Sequence, residues 1–346
     1  MTQHRVGLIG AGGISHVHVA AWQALGADIA IYSHAGADAL AAQYGLSVAT
    51  DIPDLLARVD IVDIVAPSPA HKPLALAAIA AGKHLVCEKP LGSTSADARE
   101  IARAAREAGV QAYPAHVVRF FPEYVAIKDQ IDAGRIGTPA VLRFTRTGQA
   151  PRAGSWFFSE PDGGGIVLDQ MIHDLDQARW MAGEVTQVYA VQNPPTVAGI
   201  VPGVVTAQVV LTHAGGAISH VQGVWGPPGT TFRTSVDVAG DAGSIGYESP
   251  DDGSIRVELQ AARNDANYLP PSTHSQSPYL TQLREFAAAF SGGPAPRVSL
   301  DDGVAAVELA EAAIASIRTG QAITLGADVI ADQLDEPELA TEGVEA

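Results

Sequence analysis

One cysteine, Cys87, in 346 residues leaves nothing for an internal disulfide and fits a reducing compartment. It lies in the apolar run LVCE, where a thiol is ordinarily a small core side chain. No apolar run reaches the roughly eighteen residues of a membrane span. The chain passes from MTQHR straight into VGLIG, without the apolar segment and small-residue cleavage site of a secretory leader, so a cytoplasmic location is expected. Positive charge is also scarce: 21 Lys plus Arg stand against 38 Asp plus Glu, for a net charge of −17. That field repels phosphate backbones, which argues against a nucleic-acid partner. Part of the acid lies in the tail 331–346, which lacks aromatics and is expected to be disordered.

What is present suits a packed globular protein: 47% hydrophobic residues in a chain too long for one ordinary core, hence two domains. Residues 5–10 read as a buried strand that runs into Gly10-Ala11-Gly12-Gly13-Ile14-Ser15 and a helical pattern. This is the glycine pattern of a dinucleotide-binding turn, with serine in the last position. Its first glycine permits the tight turn. Its second lets backbone N–H groups approach a pyrophosphate at a helix N-terminus.

The next strand, Asp28–Tyr32, ends in Ser33-His34, where an NAD-preferring chain would carry Asp or Glu for the ribose hydroxyls. A short hydroxyl beside an ionisable imidazole suits a 2′-phosphate better, so NADP is expected ahead of NAD. No arginine reinforces that choice, and His34 also fits a plain loop residue. Strand and helix then alternate, with Pro67-Ser68-Pro69 and Glu88-Lys89-Pro90 closing two further strands, until a doubly wound parallel sheet is complete near residue 118. Ligands sit beyond the carboxyl ends of such strands, where these turns fall. Lys89, held by Pro90, would point into that crevice; the plain alternative is a surface lysine in a turn.

Past Phe120 the pattern changes. A helix over Glu123–Ala133 and a strand over Ala140–Thr145 lead to a loop with Arg152, Trp156 and Phe157. Strands follow at short intervals over Thr186–Gln192, Val204–Thr212, Ala217–Trp225, Thr231–Ala239, Ser244–Glu248 and Ile255–Gln260, joined by glycine turns, which implies a largely antiparallel sheet. Residues 262–277 read as a loop, and Ser277-Pro278 as the start of a helix to Phe290, followed by a helix over Asp302–Arg318.

Between the loop and these strands lies GGGIVLDQMIHDLDQARW, residues 163–180. Asp169, His173, Asp176 and Trp180 share one stripe of the expected helix, which would stack a carboxylate over an imidazole. Histidine takes and returns protons near neutrality, and a carboxylate neighbour can hold its tautomer. An Asp/His pair on a helix is more often a solvated face, and no third residue has the spacing of a metal ligand. His16 and His18 read as structural, and Trp156 and Phe157 fit either domain core or a wall against a sugar face.

Taken together, GAGGIS, AGKHLVCEKPL at 81–91, IDAGRIGTP at 131–139, GGGIVLDQMIHDLDQARWMAG at 163–183 and IASIRTGQAITL at 314–325 make the chain resemble the Gfo/Idh/MocA oxidoreductases, the glucose–fructose oxidoreductase and inositol dehydrogenase family. The resemblance implies an α/β chain with a Rossmann domain over 1–118. It also implies a substrate-binding and oligomerisation domain over 119–330, whose open sheet would join a homodimer or homotetramer. By the same resemblance Lys89 matches the catalytic lysine, Asp169 the acid and His173 the general base. Gly10, Gly12, Gly13, Ile14, Ser33, His34, Pro67, His71, Glu88, Lys89 and Pro90 would face the cofactor, and His116, Arg119, Arg152 and Trp156 the substrate.

Keeping histidine where other members have tyrosine favours the sugar and polyol dehydrogenases, although HVVRFF at 116–121 departs from the inositol enzymes. The implied reaction moves a hydride between nicotinamide and a secondary alcohol of a sugar or cyclic polyol, without a metal. A keto- or anhydro-sugar reductase would use the same residues. A non-catalytic dinucleotide sensor would have no use for all three.

Overall fold

Arg5–Ile9 (β1) is apolar at every position after its arginine and lies in the middle of a sheet covered on both faces, as a parallel strand must be. The structure is a computed structural model that describes residues 3–249 and 277–326. Around β1, the strands Asp28–Tyr32 (β2), Ser47–Val48 (β3), Ile61–Ile64 (β4), His84–Glu88 (β5) and Ala112–Ala115 (β6) form a six-stranded sheet in the order β3-β2-β1-β4-β5-β6. Every pairing in it is parallel. The connecting helices are α1 (Gly13–Ala24), α2 (Ala37–Tyr44), α3 (Ile52–Arg58), α4 (His71–Ala80) and α5 (Ser95–Ala108). This is the doubly wound arrangement expected of the first half, and its strand order reverses between β1 and β4.

The two-residue β3 escaped the sequence reading because both its side chains are exposed and carry no periodicity. Cys87 lies fully buried in β5. Burial pushes its thiol well above its ordinary range, as for an inert core residue.

The second half opens with α6 (Pro122–Asp132) and β7 (Pro139–Gln149), followed by the short α7 (Glu160–Gly163) and α8 (Ile172–Ala182). Then come β8 (Val185–Asn193), β9 (Val205–His213), β10 (Ile218–Gly226), β11 (Arg233–Gly240) and β12 (Gly243–Glu248). With β13 (Ile323–Thr324) they build a seven-stranded sheet, β12-β11-β7-β10-β9-β8-β13, antiparallel throughout except where β7 meets β10. The expected strand at 255–260, most of the loop at 262–277 and the acidic tail lie outside the described residues.

Two helices near the C-terminus tie the sheets together. α9 (Pro278–Phe290) starts at Ser277, whose hydroxyl makes no cap; Pro278 at the first helical position sets the start instead. Its Phe286 stacks on Tyr113 of the first half, with ring centroids 5.1 Å apart. α10 (Leu300–Thr319) starts with a capping box between Ser299 and Asp302 and stops at Gly320. It packs on α5, α8 and β8, and the Ser316 hydroxyl accepts from the Ala190 N–H at 2.9 Å. The carboxyl ends of β1, β4 and β5 are thereby held opposite the start of α8.

Among the described residues no helix is long and apolar enough to cross a membrane. The outer face of the second sheet leaves Tyr189, Val191 and Ile218 exposed.

Candidate active site

One cavity of about 930 Å³ runs from the turn after β1 to the start of α8. At its first end Gly10 adopts φ +120°, and a Cβ there would sit 2.7 Å from the Val65 carbonyl oxygen, so the turn tolerates only glycine. Gly12 and Gly13 face open space on the side a Cβ would occupy, and the N-terminus of α1 has no side-chain cap. Unsatisfied N–H groups facing such space fit the pyrophosphate of a dinucleotide. Ser15, in the last position of the motif, is fully buried and turns its hydroxyl onto the Gly12 carbonyl, so it packs where glycine would.

Ile14, Ser33, His34, Pro67, Glu88, Lys89 and Pro90 also line the cavity, as expected. The Ser33 hydroxyl donates to the Ala35 carbonyl at 2.8 Å. His71 stands behind the wall, its ring nitrogens 2.7 and 2.8 Å from the carbonyl oxygens of Pro90 and Ala66, where it braces the two turns.

His18 does more than pack. Its Nδ1 lies 2.8 Å from Asp63 and its Nε2 3.0 Å from Glu88, while the Trp22 indole donates to Asp63 at 2.7 Å. Burial alone would lower the His18 pKa, but the two carboxylates outweigh it and push it up to about 10. The imidazolium thus holds Glu88, whose other oxygen accepts from the Lys89 N–H at 3.0 Å, against the cavity.

At the second end Lys89, Asp169 and His173 converge. Lys89 Nζ donates to the Asp169 carbonyl oxygen at 2.6 Å and to its carboxylate at 3.1 Å. The expected stacking of Asp169 on His173 does not occur. Residues Val167–Met171 form a π-helical turn, which changes the angular step ahead of α8 and sends the carboxylate to Lys89. Gly165 prepares that turn: it sits at φ +58° with its Cα against Val201, where a Cβ would lie 2.5 Å from Cγ2. His173 Nδ1 is buried and unpartnered. Burial first, then Lys89, Arg146 and His116, drive the His173 pKa well below its ordinary range, leaving a neutral imidazole beside a cation.

The lower part of the expected stripe has another occupation. Asp176 accepts from Arg119 at 2.6 and 2.8 Å, and Trp180 lies under the Arg119 guanidinium. Arg119 also meets Asp302 at 3.1 Å and the Arg297 carbonyl at 3.0 Å, so its donors are taken up in a buried ion cluster rather than turned to the cavity. Burial disfavours ionised Asp302, but Arg119 and Ser299 outweigh it and hold its pKa at about 2. His116 is buried beside this cluster, 3.9 Å from Asp176, behind the cavity wall formed by Val117 and Val118. Arg152 is exposed and outside the cavity lining, whereas Trp156 lines the cavity with its ring stacked on Phe157 at 4.0 Å.

Several lining residues had no signal in the sequence. Arg146 enters from β7, its guanidinium bound to the fully buried Asp174 at 2.7 and 2.8 Å. Gln170 donates to the Arg146 carbonyl at 2.7 Å. Trp225 comes from β10, Phe232 from the segment just before β11, and Tyr279 from α9, more than a hundred residues beyond His173 in the chain. No group of three His, Cys, Asp or Glu side chains placed to hold a metal occurs among the described residues.

Comparison with known proteins gives a single answer. Residues 4–116 match the family described as an oxidoreductase family with an NAD-binding Rossmann fold, and residues 124–246 match the GFO/IDH/MocA C-terminal domain. The chain is 31% identical to a 1,5-anhydro-D-fructose reductase of Ensifer adhaerens, over 92% of this chain and 98% of that one. It is 29% identical to an inositol 2-dehydrogenase of Rhizobium meliloti, over 93% and 99% respectively. Among solved structures, GenD2 from gentamicin A biosynthesis, in complex with NAD, superposes with a TM-score of 0.82 at 26% identity, covering 94% of this chain and 97% of the other. Fold, cavity and comparisons agree that this chain belongs to the Gfo/Idh/MocA family of oxidoreductases.

Proposed function

We propose that this oxidoreductase converts a secondary alcohol of a sugar or cyclic polyol to the ketone with a nicotinamide dinucleotide, His173 acting as base and Lys89 as the electrostatic partner of the oxygen. The observation that carries the reading is the convergence of the Lys89 ammonium and the His173 imidazole, from opposite halves of the chain, on one cavity. The bound dinucleotide supplies the hydride acceptor. His173, neutral at rest, takes the hydroxyl proton on Nε2 as the carbon–hydrogen bond breaks. Lys89 donates to the developing alkoxide, and Asp169 fixes that ammonium through its carbonyl and carboxylate. A neutral His173 favours oxidation; run in reverse, the same groups reduce a carbonyl, and a relative's name, 1,5-anhydro-D-fructose reductase, belongs to that direction.

For the cofactor, Ser33 and His34 line the cavity where an acid would reject a 2′-phosphate, which supports NADP ahead of NAD. The exposed Tyr189, Val191 and Ile218 support pairing of the second sheet with a further copy of the chain. The test is absorbance at 340 nm with both cofactors and a panel of sugars and cyclic polyols. Turnover of at least one neutral polyol is expected; tight dinucleotide binding without turnover of any would leave a sensor instead.

A further inference from the structure

The reaction end of the cavity has a charge pattern and a wall that the catalytic groups do not explain. Each cation there already has its carboxylate. Lys89 is held by Asp169 at 3.1 Å and Arg146 by Asp174 at 2.7 and 2.8 Å. The Lys89 and Arg146 pairs are largely withdrawn from water, with Asp174 fully buried, so neither cation can leave its partner for a ligand anion without stranding a carboxylate. Among the described lining residues no lysine or arginine is left without a carboxylate partner to meet a phosphate or a carboxylate.

The remaining wall is aromatic. Phe121, Trp156, Phe157, Trp225 and Phe232 all line the cavity, drawn from four separate segments of the chain. Trp156 and Phe157 stack at 4.0 Å, which presents one broad face. Phe232 lies across Gly148, where a Cβ would come within 3.3 Å of its ring, and the Arg146 guanidinium stands 5.8 Å from its centroid. The polar groups on this side are partly engaged already: the Gln170 amide donates to the Arg146 backbone carbonyl, and the Gln149 side-chain Oε1 accepts from the Gly229 N–H at 3.1 Å. A fully hydroxylated ring would leave many hydroxyls facing apolar carbon, and a charged substituent would be desolvated without a partner.

We infer that the substrate is an uncharged sugar or cyclic polyol carrying an apolar substituent, such as an O-alkyl or O-aryl group, seated against Trp156, Phe157 and Phe232. The inference rests on the dehydrogenase reading for the reacting hydroxyl, but the binding preference stands apart from the chemistry. A single apolar group in such a pocket changes discrimination by about ten- to two-hundredfold. An unpaired charge costs more than that.

The test takes the full-length protein saturated with cofactor and a panel of pyranoses and inositols. Each ring is offered in five forms: free, O-methyl or O-phenyl, phosphate, carboxylate and amine. Binding is followed by calorimetry and turnover by absorbance at 340 nm. At least about tenfold tighter binding of the O-substituted form of the preferred ring over its free form is expected, with the phosphate and carboxylate forms weaker than both. Phe232→Ala and Trp156→Ala should each erase most of that preference while leaving dinucleotide affinity intact, which also reports that the variants fold. Turnover with a preference for a charged or unsubstituted ring overturns the inference and leaves the dehydrogenase reading standing. Selective binding of the O-substituted forms without turnover does the reverse, and failure of every form to bind counts against both.

Discussion

The Lys89 ammonium meets Asp169 twice, at the backbone carbonyl and at the carboxylate, and a π-helical turn ahead of α8 puts both oxygens within its reach. The carboxylate serves the lysine and not the histidine beside it. Division of labour in the site follows from that choice: one group is a fixed cation, the other an unpaired, neutral imidazole.

Replacing the fixed cation is the first test. Lys89→Met should lower kcat by about a hundred- to a thousandfold with dinucleotide affinity little changed, as measured by initial rates and by cofactor fluorescence titration. Asp169→Asn keeps the carbonyl contact and loses only the carboxylate one, so it should cost less. Equal losses in both variants would mean that the carboxylate has a role of its own.

His173 gives a pH signature. Burial, Lys89, Arg146 and His116 lower its pKa, so the base stays deprotonated below the pH at which a free imidazole would protonate. The acid limb of kcat/KM is therefore expected below the ordinary histidine value of about 6.5. His173→Asn should remove that limb and lower kcat by about a hundred- to ten-thousandfold. A limb at or above pH 6.5 in the wild type would contradict the assignment.

The buried His18 links stability to pH with the opposite sign. Its pKa is raised to about 10 in the folded chain and returns to about 6.5 on unfolding. Its contribution is thus complete below pH 6.5, shrinks as pH rises between the two values, and is lost through pH 10. His18→Gln should destabilise the protein by about 3–5 kcal/mol at pH 6, because it strands Asp63 and Glu88. The gap in melting temperature between variant and wild type should narrow as pH approaches 10; a gap independent of pH would show that His18 is neutral.

Arg119 and Trp156 separate stability from binding. Arg119→Met leaves Asp176 buried without its partner and should cost about 3–5 kcal/mol of stability, with KM nearly unchanged in the folded fraction. Trp156→Ala removes a half-buried cavity wall and should raise KM while moving the melting temperature little.

Cofactor choice has a direct reversal experiment. Ser33→Asp sets a carboxylate where a 2′-phosphate would lie and should weaken NADP by roughly ten- to a hundredfold while NAD improves or holds, read from dissociation constants for the two. A wild type that already prefers NAD would remove the basis for the NADP reading.

Much of this molecule was legible in its residue order. The turn Gly10–Ser15 declares itself because only glycine accepts φ +120° beside the Val65 backbone, and the run of buried apolar strands with short helices between them admits one sheet type. Lys89 stood out through the family resemblance of the EKP motif, since a lysine in a turn after a strand is otherwise a plain surface residue. The stripe through Asp169, His173, Asp176 and Trp180 was legible as a list of residues but not as a geometry. Helical spacing assumes a constant angular step, and the π-helical turn breaks it.

Local order along the chain therefore determined the two sheets and the dinucleotide turn, while Lys89 and His173 stood out through the family resemblance of the motifs around them. Only the tertiary structure decided who pairs with whom: Asp169 with Lys89, Arg119 with Asp176, Arg146 with Asp174, and His18 between two acids. The reason is range. Periodicity and turn chemistry act over a few residues, whereas a buried charge takes whichever partner the packing of distant elements brings within 3 Å or so, and its pKa follows from that meeting.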